Sequence, residues 1–254
     1  MEPVYKRVLI KLSGEALEKE MPTTILPNGN AVQYLQKDEV YTYDKEKLTA
    51  LCAEIAQLHG MGVQIALVIG AGNIWRGKLA QNIGFDAATA DYMGMLGTAI
   101  NALALSDMLQ KQGLRTQVLS PFGIQHVAQE YSIPQARAEI QTGTVLIFAC
   151  GLGLPFFTTD TPAAQRAVEL QCDALLLAKN ISKLYDRPPE QPGAVPYTKT
   201  TYNEIIAKQL GAFDLTAAVI GRQYNLHMQF FGLNDENGIL RAACGLSDGT
   251  TITN

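Results

Sequence analysis

Asp91-Tyr92-Met93-Gly94-Met95-Leu96-Gly97-Thr98 and, well downstream, Pro155-Phe156-Phe157-Thr158-Thr159-Asp160 mix acids, hydroxyls and glycine where a core segment would carry only apolar residues. Both read as walls of a polar site. Two further segments have the composition of phosphate holders. In Lys11-Leu12-Ser13-Gly14-Glu15-Ala16 a lysine ends a strand and a Ser-Gly step opens an expected helix, where free backbone amides and the helix dipole favour an anion. The lysine adds a point charge for a phosphate oxygen. Gly70-Ala71-Gly72-Asn73-Ile74-Trp75-Arg76-Gly77 has small residues that let the backbone approach a phosphate, with Arg76 expected to face the same opening. Together these segments predict phosphoryl transfer to a small phosphorylated or carboxylated acceptor.

Other readings of the same residues are weaker. Residues 72–78 fit G-x-x-x-x-G-K, but Leu79 stands where a P-loop needs Ser or Thr for magnesium. A G-x-G-x-x-G dinucleotide fingerprint fails because Trp75 occupies the last glycine position. Asp91 is expected to head a helix, where it would serve either as an N-cap or as an acceptor for ribose hydroxyls. Thr158, Thr159 and Asp160 open another helix, and a capping box explains only one of the three. Asp214 reads either as a cap or as the carboxylate that orients Lys11. His59, His126 and His227 lack metal or triad spacing, no G-x-S-x-G elbow is present, and no protein-bound metal is expected.

The elements that must position these residues alternate. Residues 5–12 and 63–69 read as strands, the second apolar at nearly every position as in a strand covered on both faces. Between them residues 44–59 have helical spacing, with Leu48, Leu51, Ile55 and Leu58 on one face and Asp44 as N-cap. Further helices are expected at 90–110, 162–171, 202–209 and 214–224, and strands at 114–119, 144–150, 174–177 and, as the last strand, 227–231. This order predicts an α/β fold with a mostly parallel central sheet between helical layers, its ligands outside the carboxyl ends of the strands. Residues 18–43, with Pro22, Pro27 and an Asn28-Gly29 turn, read as an irregular insertion forming a projecting hairpin. Residues 187–200, with four prolines, read as a loop bordering the site.

At 254 residues one domain spanning residues 1–254 is expected. Apolar residues make up 47 % and charged residues 17 %, with neither an eighteen-residue apolar run nor a cationic leader, so no membrane partner is expected and the cytoplasm is the expected location. Cys52, Cys150, Cys172 and Cys244 lack C-x-x-C spacing, and the first three lie in apolar segments that suit reduced core thiols. A net charge of −4 argues against a nucleic-acid partner, while a few cations focused in a cleft still suffice for a nucleotide.

Taken in order, Lys11-Leu12-Ser13-Gly14-Glu15-Ala16, residues 70–77, residues 90–98, residues 155–161 and Asp214-Leu215-Thr216-Ala217 resemble the bacterial-type UMP kinases of the amino acid kinase fold family, over nearly the whole chain. The resemblance implies a three-layer αβα sandwich and ATP-dependent phosphorylation of UMP to UDP, by direct in-line transfer, with magnesium carried by ATP. It implies catalytic roles for Lys11, Arg76, Asp160 and Asp214. It places ATP against Lys11, Leu12, Ser13, Gly14, Gly72, Arg76 and Tyr185. It places UMP against Ala71, Asp91, Gly153, Pro155, Phe156, Phe157, Thr158 and Thr159. A homo-oligomer, a hexamer in this family, and a place in pyrimidine biosynthesis are implied as well. The chain departs from the family pattern at Leu152 and Leu154, where the family often has Thr and Asn, and in Ile181-Ser182-Lys183-Leu184-Tyr185, which lacks the usual Asp-Gly step. Two alternatives stay open on these departures: a catalytically weak nucleotide-binding or storage protein on the same fold, and a kinase of the same family with a carboxylate or carbamate acceptor.

Overall fold

The computed structural model describes residues 1–19, 23–25, 31–33, 42–76, 83–211 and 214–254. The first strand, β1 (Arg7–Leu12), is buried from Val8 onward and lies in the middle of a nine-stranded sheet. It pairs in parallel with β4 (Gln64–Ile69) on one side and β8 (Ala174–Lys179) on the other. Beyond β4 follow β7 (Val145–Phe148), β5 (Thr116–Ser120) and β6 (Gln129–Glu130); beyond β8 follow β12 (His227–Gly232), β13 (Thr250–Thr253) and β11 (Lys199–Thr201). Only the β12–β13 pairing in this sheet is antiparallel. The carboxyl ends of β1, β4, β7 and β8 therefore lie along one edge, and the chain segments that leave them meet there.

Side-chain alternation along each strand assigns the helices to two layers. Val8, Ile10 and Leu12 of β1 join Ile65, Leu67 and Ile69 of β4 in a core covered by α1 (Lys45–Gly60), α2 (Ala87–Lys111) and α7 (Gly238–Ala243). Leu9, Ala66, Val68, Leu175 and Leu177 face the opposite core, covered by α3 (Ile133–Gln141), α4 (Asp160–Glu169), α5 (Tyr202–Lys208) and α6 (Leu215–Gln223). This is the three-layer α/β sandwich with a mostly parallel sheet that the alternation of elements predicts. Lys11 follows Leu9 by two residues, and Lys179 follows Leu177 by two. Both lysines therefore project from the ends of neighbouring strands toward the same layer, the one that contains α4.

Several local expectations need correction. Residues after β1 form only a single 3-10 turn, Gly14–Leu17, rather than a helix. α2 begins earlier than residue 90: Asp86 caps it by accepting from Thr89 N at 3.0 Å, so Asp91 sits inside the helix and does not head it. The strand at 227–231 is not the last, because the chain returns as β13 to pair beside it. Residues 187–200 are not only loop, since β10 (Pro196–Tyr197) pairs with β9 (Leu184–Tyr185) and β11 joins the main sheet. The hairpin expected within 18–43 needs no correction: β2 (Thr23–Ile25) and β3 (Ala31–Gln33) pair antiparallel. Pro22, Pro27, Asn28, Gly29, Gly77, Lys78 and Leu79 lie outside the described residues.

Asp44 caps α1 as the sequence indicates, accepting from Glu46 N at 2.8 Å and Lys47 N at 3.0 Å. All four cysteines are free, three of them buried and Cys172 half-buried. No helix among the described residues is long and apolar enough to cross a membrane.

Candidate active site

Asp160 is the centre of the charged cluster. It begins α4 just beyond the carboxyl edge of the sheet, is 5 % exposed, and stands between the two lysines that alternation sends to this face. Lys11 Nζ lies 3.0 Å from Asp160 Oδ1, and Lys179 Nζ donates to Oδ2 at 2.7 Å. Burial opposes the ionisation of Asp160, but the charges of Lys11 and Lys179 outweigh it and bring its carboxyl down to about 2. Lys179 is pushed the other way: burial and the neighbouring Lys11 charge lower it below the usual lysine range despite Asp160. Two cations around one carboxylate leave a positive charge uncompensated in a largely buried place. An anion such as a transferring phosphoryl group is the partner such a cluster lacks.

The glycine-rich segments form a floor beside this cluster. At Gly14 any Cβ would run into the side-chain oxygen of Asn73 and the backbone nitrogen of Gly72, which lies 2.6 Å away, so glycine is required for the two loops to touch. Ser13 Oγ is buried with no hydrogen-bond partner among the described residues, an unusual state for a hydroxyl and one that a phosphate oxygen would relieve. Arg76 extends from the same floor, with Nε donating to Gly72 O at 3.1 Å and Nη2 to Glu15 Oε1 at 3.2 Å. Its side chain is about half exposed and sits with Glu15 rather than with Asp160.

Asn101 holds that floor in place and carries no signal in the motifs. It is fully buried on α2, donates to Gly70 O at 2.7 Å and to Asn73 Oδ1 at 2.8 Å, and accepts from Tyr43 OH at 3.0 Å. An asparagine inside the apolar run of α2 is the available clue, since a buried amide needs partners. Asn101→Ala is expected to destabilise the chain by about 1–3 kcal/mol, because Gly70 O and Asn73 Oδ1 lose a buried donor. Chemical denaturation with an unchanged m-value would register this; a loss under about 0.5 kcal/mol would mean the floor stands without it.

Bordering Ala71 of the same floor, a cleft of about 270 Å³ opens between α2 and the segment that leaves β7. Ala71, Asp91, Phe157, Thr158 and Thr159 line it, as do Trp75, Met95, Thr98, Gly151, Leu152 and Leu154, to which the sequence assigned no role as ligand contacts. Gly153, Pro155 and Phe156 stand off its wall. Gly153 adopts φ +75° and packs against Pro121, where a side chain would collide. Phe156, at φ +70°, donates its backbone N–H to Asp91 Oδ2 at 2.7 Å. Asp91 thus ties the 151–157 segment to α2.

Asp214 does not orient Lys11; that work falls to Asp160. Asp214 Oδ1 caps α6 through Thr216 N at 2.9 Å, while Oδ2 accepts from Thr158 at 2.8 Å and Thr161 at 2.7 Å. It serves as a cap and as an anchor for the threonine turn at once. Tyr185 lies across the sheet edge, lining a second cavity of about 500 Å³ with Ile181, Pro188, Pro189 and Leu210. Leu12 is wholly buried, so only its backbone can meet a ligand.

The arrangement defines a class: a phosphotransferase with a cationic centre built on the edge of a parallel sheet. The amino acid kinase family model matches residues 6–221, and the chain belongs to that family. It is similar to the crystal structure of UMP kinase from Bacillus anthracis, with 34 % identity over 98 % of this chain and 96 % of that one and a TM-score of 0.85. The UMP kinase from Ureaplasma parvum matches at 29 % identity, over 98 % and 99 % of the two chains, with a TM-score of 0.85. Uridylate kinase from Archaeoglobus fulgidus, at 20 % identity over 97 % and 99 % with a TM-score of 0.68, shares the fold.

Proposed function

We propose that this chain transfers the γ-phosphoryl group of ATP to UMP, giving UDP and ADP. The observation that carries the reading is the Lys11–Asp160–Lys179 cluster and its position. Thr158 and Thr159 on the cleft wall run directly into Asp160, and Lys179 runs through Asn180 into Ile181 on the wall of the second cavity. UMP in the first recess and ATP in the second would bring the acceptor phosphate and the γ-phosphoryl together at the lysines. One oxygen–phosphorus bond forms to a phosphate oxygen of UMP as the bond to the ADP oxygen breaks. The acceptor oxygen is already anionic, so no strong base is needed, and positioning with charge neutralisation carries the rate.

In this reading Lys11 and Lys179 neutralise the charge that spreads over the transferring group, and Asp160 keeps both lysines aimed. Ser13, Gly14 and Gly72 supply the floor for the donor phosphates, with Leu12 contributing its backbone and Arg76 charge at the rim. Tyr185 offers a face for adenine. Asp91 holds the acceptor ribose through Oδ1, while Ala71, Phe157, Thr158 and Thr159 enclose the acceptor. Gly153, Pro155 and Phe156 shape the segment behind it, and Asp214 keeps Thr158 in place. Magnesium enters with ATP as part of the donor substrate.

Incubation with UMP, ATP and magnesium is expected to yield UDP and ADP in equal amounts, whereas glutamate, aspartate and carbamate release no ADP above background. A carboxylate or carbamate that turns over better than UMP would refute the reading. Nucleotide binding without any turnover would make the chain a storage or binding protein instead.

The same proposal extends to assembly. Tyr92, Leu96, Ile100 and Leu103 are exposed at helical spacing along α2, flanking its buried face of Met95, Ala99 and Ala102. A contiguous apolar stripe of this kind suits a self-association surface, in keeping with the hexamer that the family resemblance implies. Leu96→Glu with Ile100→Glu is expected to reduce the mass measured by light scattering to that of a smaller species while circular dichroism stays unchanged. An unaltered mass would remove α2 from the interface. β1 and β13 share the nine-stranded sheet, which supports a single domain; action in cytoplasmic pyrimidine nucleotide biosynthesis belongs to the kinase reading.

A further inference from the structure

We infer that the acceptor cleft recognises its pyrimidine base by apolar contact and does not separate a 4-oxo from a 4-amino ring, so that CMP occupies it about as well as UMP. The inference rests on the acceptor reading above. It follows from the side-chain donors of the cleft, which are engaged elsewhere or, for Thr159, directed toward Gly70.

Uracil presents an acceptor at O4 and a donor at N3, and cytosine presents the reverse. Telling them apart requires a fixed donor opposite O4 or a fixed acceptor opposite N3; in the acceptor reading the carboxylate of the cleft, Asp91, is taken up by Phe156 N and the ribose. Trp75 Nε1 donates to Ala90 O at 2.8 Å. The Thr98 hydroxyl donates to Met95 O at 2.6 Å and accepts from Cys150 N at 2.7 Å. The Thr158 hydroxyl donates to Asp214 Oδ2 at 2.8 Å. Thr159 keeps its hydroxyl, but that oxygen lies over Gly70, beside the phosphate floor. Asp91 only accepts.

What remains for the base are Leu152, Leu154, Phe157, Met95 and the Trp75 ring. Leu154 stays more than half exposed at the rim, where a base sliding in would cover it. Apolar walls hold a flat ring well, yet they reject an isostere poorly; strong rejection comes from a buried polar partner left unmatched, and no side chain supplies one here.

Calorimetric titration of the full-length chain with UMP and with CMP tests this without relying on turnover. Dissociation constants within about ten-fold of each other are expected. A variant carrying Leu152→Thr and Leu154→Asn, which adds a hydroxyl and an amide donor, is expected to shift the ratio toward UMP by about ten-fold or more. Preference of the parent chain for UMP by about a hundred-fold would overturn the inference and would assign O4 to backbone N–H groups of residues 151–154. Equal binding of both nucleotides with no phosphoryl transfer would sink the kinase reading and leave this inference standing. Transfer to UMP with no binding of CMP would do the opposite, and binding of neither would end both.

Discussion

Asp160→Asn is expected to lower the stability of the chain by about 3–5 kcal/mol, because it removes the carboxylate that two largely buried lysines share among the described residues. Lys11 and Lys179 meet at its carboxylate, and without it they repel each other across a space that burial has stripped of water. The melting temperature should fall on the order of 10 °C for a chain of this size. Restoring one neutral partner, in Asp160→Asn with Lys179→Met, should recover part of the loss. A single variant that melts with the parent would mean the cluster is solvated and uncoupled.

The same group sets an acid dependence. Its folded carboxyl lies near 2, below the ordinary aspartate value, so the folded state keeps the charge after the unfolded chain has taken up a proton. Stability from this group is therefore complete above about pH 4 and is lost as pH falls toward about 2, a contribution of about 2 kcal/mol. Denaturation curves across that window should slope less steeply with pH in Asp160→Asn than in the parent.

Lys11→Ala is expected to lower UDP formation by about 10³-fold, near 4 kcal/mol of transition-state stabilisation, by removing a preorganised charge from the transferring group. Its effect on folding should be small, since Asp160 retains Lys179 and the buried pair stays matched. The fall should appear in kcat with the KM for UMP little changed, because the acceptor is held mainly by the cleft. Loss of KM with intact kcat would demote Lys11 to a binding residue. The contrast between a folded, inactive Lys11→Ala and a destabilised Asp160→Asn separates the charge that acts from the charge that holds.

Much of this was readable before the coordinates. Apolar runs flanked by glycine located the central strands, and helical spacing with Asp44 as cap located α1. Lys11 and Asp160 could be named from residue type at a strand end and a helix start. Lys179 could not, because the strand read at 174–177 stops two residues short. Continuing the alternation of Leu175 and Leu177 by one step places Lys179 on the same face as Lys11, two residues beyond Leu177, the partner of Lys11 on the neighbouring strand.

Asp91 misled because an acid at the head of an apolar helix looks like a cap, while Asp86 does that work one turn earlier. α3 is hard to read as a nine-residue helix with Pro134 in its first turn and only Ala136 and Ile140, at a helical spacing, buried in the core. β13 is four residues of Thr and Ile after a Ser-Asp-Gly turn, too short to carry a period of its own. The bond between Asp214 and the threonine turn is tertiary: residues 53 and 56 positions apart meet only because α4 and α6 share a layer.

The central claim is that two nucleotides meet over Lys11 and Lys179. A crystal structure with a bisubstrate analogue, uridine and adenosine joined through their 5′ oxygens by five phosphates, tests it most directly. The account predicts uridine in the cleft between Asp91 and Leu154, adenine against Tyr185, and the phosphate chain within hydrogen-bond distance of both lysine Nζ atoms. A phosphate chain that avoids Lys11, or an adenosine lodged away from the Tyr185 cavity, would contradict it.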